Sequence, residues 1–150
     1  SYEPEDEGVT IVYGSIHGHT AKAAKIMQKM LEDRGQKVEI FDLARDDMAE
    51  AIECAYRYDK LVIATVTYDA GVFPVVEDFV YHLKLKNYQK RTVGIIQNGS
   101  WGPVAGKKVK ESLETLKDIK IVDPMVTIRS ALKEGNLTAM EALADALVAK

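Results

Sequence analysis

The sequence predicts an α/β fold built on one doubly wound, five-stranded parallel sheet with helices on both faces, and three features predict it. Near-continuously apolar runs at residues 9–13, 61–65 and 92–96 read as strands covered on both faces. Such β-rich runs alternate strictly with helical patterns, five of each. The loops after those three strands, residues 14–20, 65–73 and 97–104, are rich in Gly, Ser, Thr or Asn and carry at most one charge each. In doubly wound sheets ligands sit beyond the carboxyl ends of the strands, where these loops lie.

Each element has its own justification. Residues 1–8, "SYEPEDEG", hold four acids, a proline and a glycine and read as an acidic linker or chain edge, leaving 9–150 as the folded domain. After the first strand, Ala23, Ala24, Met27, Met30 and Leu31 line one helix face, with Gly35 past its end as a C-cap. Residues 37–42 alternate and suit an edge strand. Met48, Ile52, Ala55 and Tyr56 form the second helical stripe. The third, Val75, Val76, Phe79, Val80 and Leu83, follows Pro74 as a helix start. Ala105, Val109, Leu113 and Leu116 make the fourth. Residues 119–128 contain Pro124, which cannot donate to a ladder and fits an edge position or bulge. The last stripe, Leu137, Met140, Leu143, Ala144 and Leu147, stands behind Asn136 as a candidate N-cap.

Composition narrows the function classes. A chain of 150 residues suits one domain that buries roughly 70% of its unfolded surface. A formal net charge of -3, with both signs spread along the chain, offers no footprint for nucleic acid or an anionic membrane. No apolar run approaches the ~18 residues of a membrane span, and the N-terminus lacks the basic and apolar regions of a signal peptide. The expected location is the cytoplasm. Cys54 is the only cysteine, so no internal disulfide can form, and its setting in "AIECAYRY" reads as a packed helix position.

The first loop, "GSIHGHT", has the composition of a phosphate cradle. Small residues let successive backbone N–H groups point inward, Ser15 and Thr20 add hydroxyl donors, and the following helix presents its positive end. The alternative is that Gly14 and Gly18 serve only the turn. His17 and His19 could open a metal site, but the remaining soft ligands, His82 and Cys54, have no ligand-like spacing, so no metal is expected. A cobalt-ligating loop of the form D-x-H-x-x-G fails at Ser15 and Thr20. Signal-receiver chemistry needs acids at the end of the first strand, and "IVYGS" has none. The second and third loops contribute one aromatic each among small polar neighbours, Tyr68 and Trp101. They either bracket a flat ring or cap the sheet's end.

Taken together the loops resemble those of flavodoxins, and more closely those of the flavodoxin-type FMN domain of flavodiiron proteins (A-type flavoproteins), over about residues 8–148. In the first loop Ser15, Gly18 and Thr20 match the family's S-x-x-G-N-T, and His19 replaces Asn. In the second, Thr67, Tyr68, Gly71, Phe73 and Pro74 match S-P-T-Y-N-G-G-x-F-P, whereas Thr65, Val66, Asp69 and Ala70 depart. In the third, Asn98, Gly99, Ser100, Trp101, Pro103, Ala105 and Lys107 match N-G-S-W-A-P-x-A-x-K. The resemblance implies the strand order 2-1-3-4-5 and FMN as cofactor. It implies a phosphate site at Ser15, Ile16, His17, Gly18, His19 and Thr20, and ring contacts from Tyr68 and Trp101. Backbone contacts to the ring's polar edge would come from Thr65, Val66, Thr67, Asp69, Ala70, Gly71, Asn98, Gly99, Ser100, Gly102 and Pro103.

On that basis the expected role is electron entry. Electrons would arrive from a rubredoxin or a reductase and pass to a di-iron domain, within a flavodiiron oxygen or nitric oxide reductase; three histidines cannot build that di-iron site here. The family also implies a homo-oligomer for the full-length protein. No Lys or Arg lies in the two ring-binding loops while Asp69 does, so a low potential is expected. A stand-alone flavodoxin shuttle and a flavin-free interaction domain on the same scaffold are the competing readings.

Overall fold

The computed structural model describes residues 3–16, 18–68, 71–99, 103–129 and 131–150. Strands β1 (Asp6–Tyr13), β2 (Val38–Asp42), β3 (Tyr58–Tyr68) and β5 (Arg91–Asn98) pair in parallel in the spatial order β2-β1-β3-β5. Beyond β5 come β6 (Ile119–Ile121) and β7 (Val126–Ile128), both parallel to it. With β6 and β7 counted as one interrupted fifth strand, the order is the expected 2-1-3-4-5. The short β4 (Gly71–Val72) pairs antiparallel with the end of β3.

Helices α1 (His19–Asp33) and α5 (Glu134–Val148) cover one face of the sheet, and α2 (Met48–Arg57), α3 (Pro74–Leu85) and α4 (Ala105–Glu114) cover the other. Successive strand residues therefore feed two cores. Val9, Ile11, Val62, Ala64 and Ile96 pack with Ala23, Ala24, Met27, Leu143 and Leu147. Val12, Leu61, Ile63, Val93 and Ile95 pack with Val76, Phe79, Leu83, Val109 and Leu113. Burial on both faces is why these runs read as continuous rather than alternating. Gly35 takes φ +83 just past α1, as a C-cap glycine should.

Three elements differ from expectation. β1 starts at Asp6, inside the segment the sequence assigns to a linker. Glu5 N–H donates to Arg57 O and Gly8 N–H to Asp59 Oδ1, each at 2.9 Å, and Arg57 Nε pairs with Asp6 Oδ2 at 3.0 Å. Two backbone N–H groups and the Asp6 carboxylate of this segment thus meet partners at the α2–β3 junction, 51 residues away in the chain for Asp6 and Gly8. The fifth strand is divided around Pro124, consistent with its missing N–H. Asn136 is not the N-cap of α5, because the helix starts earlier, at Glu134. Its Oδ1 accepts from Lys133 N–H at 3.0 Å while its Nδ2 donates to Thr127 O at 3.1 Å, so it closes the helix end from inside and ties it to β7.

Cys54 is buried on α2, as its setting suggests. Its Sγ lies 3.0 Å from Thr10 Oγ1 and donates to Glu39 Oε2 at 3.3 Å. Burial first, then the Glu39 carboxylate, pushes the thiol from its ordinary 9.0 up to about 12, against the opposing bond to Thr10. The unfolded chain therefore holds fewer protons than the folded one between pH 9 and 12, and stability falls as pH rises through that window. Tyr88, whose phenol burial also raises, acts in the same direction. Urea midpoints should hold steady from pH ~7 to ~9 and decline above it, less steeply in Cys54→Ala; equal slopes would contradict this assignment.

Candidate functional site

Register places the three loops side by side. Tyr13 of β1 pairs with Ala64 of β3, Ala64 with Ile96 of β5, and Val66 with Asn98. The chain thus leaves β1, β3 and β5 at one edge, and the loops meet there. Gly14 N–H donates to Ala64 O at 3.2 Å, extending the ladder by one residue. A Cβ on Gly14 would lie 2.8 Å from Phe73 Cδ2 and 2.9 Å from Val76 Cγ2, so glycine lets the start of α3 close onto the first loop. The second and third loops touch as well: a Cβ on Gly99 would be 3.4 Å from Thr67 Cβ.

The first loop turns into α1 through Gly18, which holds φ +83 and whose N–H donates to Ser15 Oγ at 2.8 Å. Only glycine adopts that conformation without strain. As N-cap it has no side chain to close the helix, and the first turn of α1 carries no acid. The contrast with α2 is direct: there Asp47 accepts from Ala49 N–H at 2.9 Å and Glu50 follows in the first turn. The dipole end of α1 is thus left for an anion. Thr20 is buried, at 2% exposure, whereas Ile16 and His19 are exposed. His17 lies outside the described residues.

The second loop is a hairpin. Thr67 pairs with Val72 and Tyr68 with Gly71, joined through Asp69 and Ala70, which lie outside the described residues. The Tyr68 ring is 45% exposed and meets Phe73 edge-on, centroids 5.7 Å apart at 75°, which fixes its orientation at the loop's rim. Thr65 is fully buried, and Val66 and Thr67 are half-buried.

In the third loop Asn98 and Gly99 are buried and Pro103 half-buried; Ser100, Trp101 and Gly102 lie outside the described residues. Gly99 N–H donates to Ile128 O at 3.1 Å, and Thr67 Oγ1 accepts from Val104 N–H at 3.0 Å and Ala105 N–H at 3.2 Å. Gln97 Oε1 accepts from Gly106 N–H at 2.9 Å. Side chains from β3 and β5 therefore close the start of α4.

Sequence reasoning matched Phe73 to the second-loop motif but missed its packing role, and it missed Gln97 as a site-shaping residue. Gln97 had a signal, a lone polar side chain closing the apolar run "TVGII". For Phe73 the signal was the motif match itself, which says nothing of the packing against Gly14 and Tyr68.

Among the described residues no group of three or more His, Cys, Asp or Glu is placed to hold a metal ion, and no helix is long and apolar enough to cross a membrane. A groove of about 710 Å³ starts at Gly18 and follows the outer face of α1 past Lys22, Lys25, Ile26 and Lys29. It leads away from the second and third loops and is a helix face rather than the loop site.

Known proteins match this arrangement. Coenzyme F420H(2) oxidase of Methanothermobacter marburgensis is 28% identical over 102 residues, 67% of this chain and 25% of that protein. Rubredoxin oxygen:oxidoreductase of Desulfovibrio gigas superposes with a TM-score of 0.87 at 16% identity, over 96% of this chain and 36% of its own. A flavodoxin from the domain Archaea gives 0.78 at 17% identity, over 91% of this chain and 93% of its own. Flavodiiron proteins are among the further structural matches. At these identities the structures share the fold, and the chain spans about a quarter to a third of the two oxidases. Residues 11–142 match the family model described as Flavodoxin, and the chain belongs to the flavodoxin family.

Proposed function

We propose that this chain is an FMN-binding electron-transfer module, the flavodoxin-like part of a flavodiiron oxygen or nitric oxide reductase. The carrying observation is the uncapped, acid-free start of α1 beside a second loop that touches both the first and the third. This arrangement fits a flavin phosphate at one end and a flat ring at the other. Ser15, Gly18, His19 and Thr20 would hold the phosphate, and Ile16 and His17 complete that loop.

Tyr68 and Trp101 would cover the two ring faces and exclude water from them. Backbone groups of residues 65–71 and 98–103 would orient the ring's polar edge. Bound FMN supplies one- and two-electron redox chemistry, and the protein tunes it through nearby charge and hydrogen bonds. Asp69 and the lack of any Lys or Arg in the ring-binding loops favour a low potential.

The flavodiiron assignment draws support from the names of the relatives and from the third-loop motif. On this reading a rubredoxin or reductase donates electrons in the cytoplasm, and a di-iron domain on the same polypeptide or a partner subunit accepts them. A free-standing flavodoxin is the second reading, favoured by the 93% coverage of the archaeal flavodoxin. The absence of a heavy acidic surface, at net charge -3, weighs against it.

Titration of flavin-free protein with FMN tests the shared core of both readings. Stoichiometric quenching of flavin fluorescence with a perturbed visible spectrum is expected; no binding at tens of micromolar, well below typical specific affinity, would leave the flavin-free domain as the better account. Gly71 is proposed to give its loop the backbone freedom that adjusts to the reduced ring. Gly71→Val should change the spacing of the two one-electron potentials by about 60 mV, a tenfold shift in a one-electron equilibrium, and unchanged potentials would remove that role.

A further inference from the structure

The start of α4 is capped from a distance, and the cap joins the two loops assigned to the flavin ring. Val104 is the N-cap of α4 and offers no side-chain cap of its own, since an isopropyl group cannot accept a hydrogen bond. Its N–H and that of Ala105 both donate to Thr67 Oγ1, at 3.0 and 3.2 Å, across 37 and 38 residues of chain. The next N–H, of Gly106, donates to Gln97 Oε1 at 2.9 Å, and Gln97 Nε2 donates onward to Thr127 Oγ1 at 3.0 Å. The contact is close enough that a Cβ on Gly99 would meet Thr67 and Pro103 together, and one on Gly106 would lie 2.8 Å from Gln97 Oε1.

We infer that Thr67 is a positioning residue: its hydroxyl ties the start of α4, where the third loop ends, to the strand that carries the second loop before any ligand arrives. Three consequences follow from the geometry. The N–H groups of Ala105 and Gly106 are already satisfied, so the start of α4 does not offer them to an anion. The Thr67 hydroxyl serves the protein rather than the ligand. Its neighbour Tyr68, next along the strand, lies on the opposite face of the hairpin, so one residue anchors the wall while the next presents its ring. The clamp also sits at the base of the loop that carries Trp101, the only tryptophan in the chain.

This inference rests on the flavin reading for its effect on affinity, and the test separates the two. In the unaltered, flavin-free protein, amide hydrogen exchange at Val104, Ala105 and Gly106 should be slower than at the first turn of α1, by about tenfold or more for a cap of ordinary strength. Thr67→Val keeps the shape and removes the acceptor. It should raise acrylamide quenching of Trp101 in the folded protein and weaken FMN binding by about tenfold, with Thr67→Ser restoring most of both.

A merely structural hydroxyl would lower the melting temperature and leave Trp101 quenching in the folded state unchanged, which would overturn the clamp. Equally fast exchange at 104–106 and at the start of α1 would overturn it without any variant. If the unaltered protein binds no FMN, the functional reading falls, while exchange and quenching still decide the clamp.

Discussion

The site depends on the register of β3 between β1 and β5. Parallel pairing sends the carboxyl ends of all three strands to the same edge, so loops separated by roughly fifty and thirty residues of chain arrive side by side. The apolar faces that hold this register are the two cores. A slip of one residue would exchange Val62 and Ala64 for Leu61 and Ile63 beneath α1 and α5, and would expel the loops from alignment at once. Stability of the sheet and geometry of the site are therefore the same constraint.

Within that frame the helix ends near the loops are treated differently. The start of α4 is closed by Thr67 and Gln97, that of α2 by Asp47, and that of α5 by Asn136 reaching back to the Lys133 N–H. The start of α1 has a glycine in place of a cap and no acid in its first turn. A helix end capped by glycine forgoes only a few tenths of a kcal/mol relative to a side-chain cap, and it leaves its N–H groups for an anion. The start of α3 also lacks a side-chain cap but carries Glu77 in its first turn, so the acid-free start of α1 supports the phosphate position proposed above.

Much of this was legible in the residues. The central strands and the helix stripes follow from burial periodicity, which local pattern records well. Pro124 announced an interruption of the last strand through its missing N–H. What stayed hidden depends on partners far along the chain. Asp6 joins β1 because Arg57 is there to meet it, and Thr67 caps α4 although 38 residues separate it from Ala105. Asn136 reads as an N-cap by type, but its side chain serves the same end from the third helical position, with Thr127 as a second partner. For the loops, composition suggested an anion and a flat ring. The resemblance to flavodoxins named the ligand, and the contacts of the second loop with the first and the third support reading their residues together.

The central claim is that the first loop and the open end of α1 hold a phosphate. Comparing FMN with riboflavin, which lacks only the phosphate, tests it most directly, in the same flavin-free protein and by the same calorimetric titration. The account predicts that riboflavin binds at least about a hundredfold more weakly, the loss expected when two or more charge-assisted hydrogen bonds disappear. Equal affinity for the two flavins would contradict it and would leave the ring-binding loops as the whole of the site.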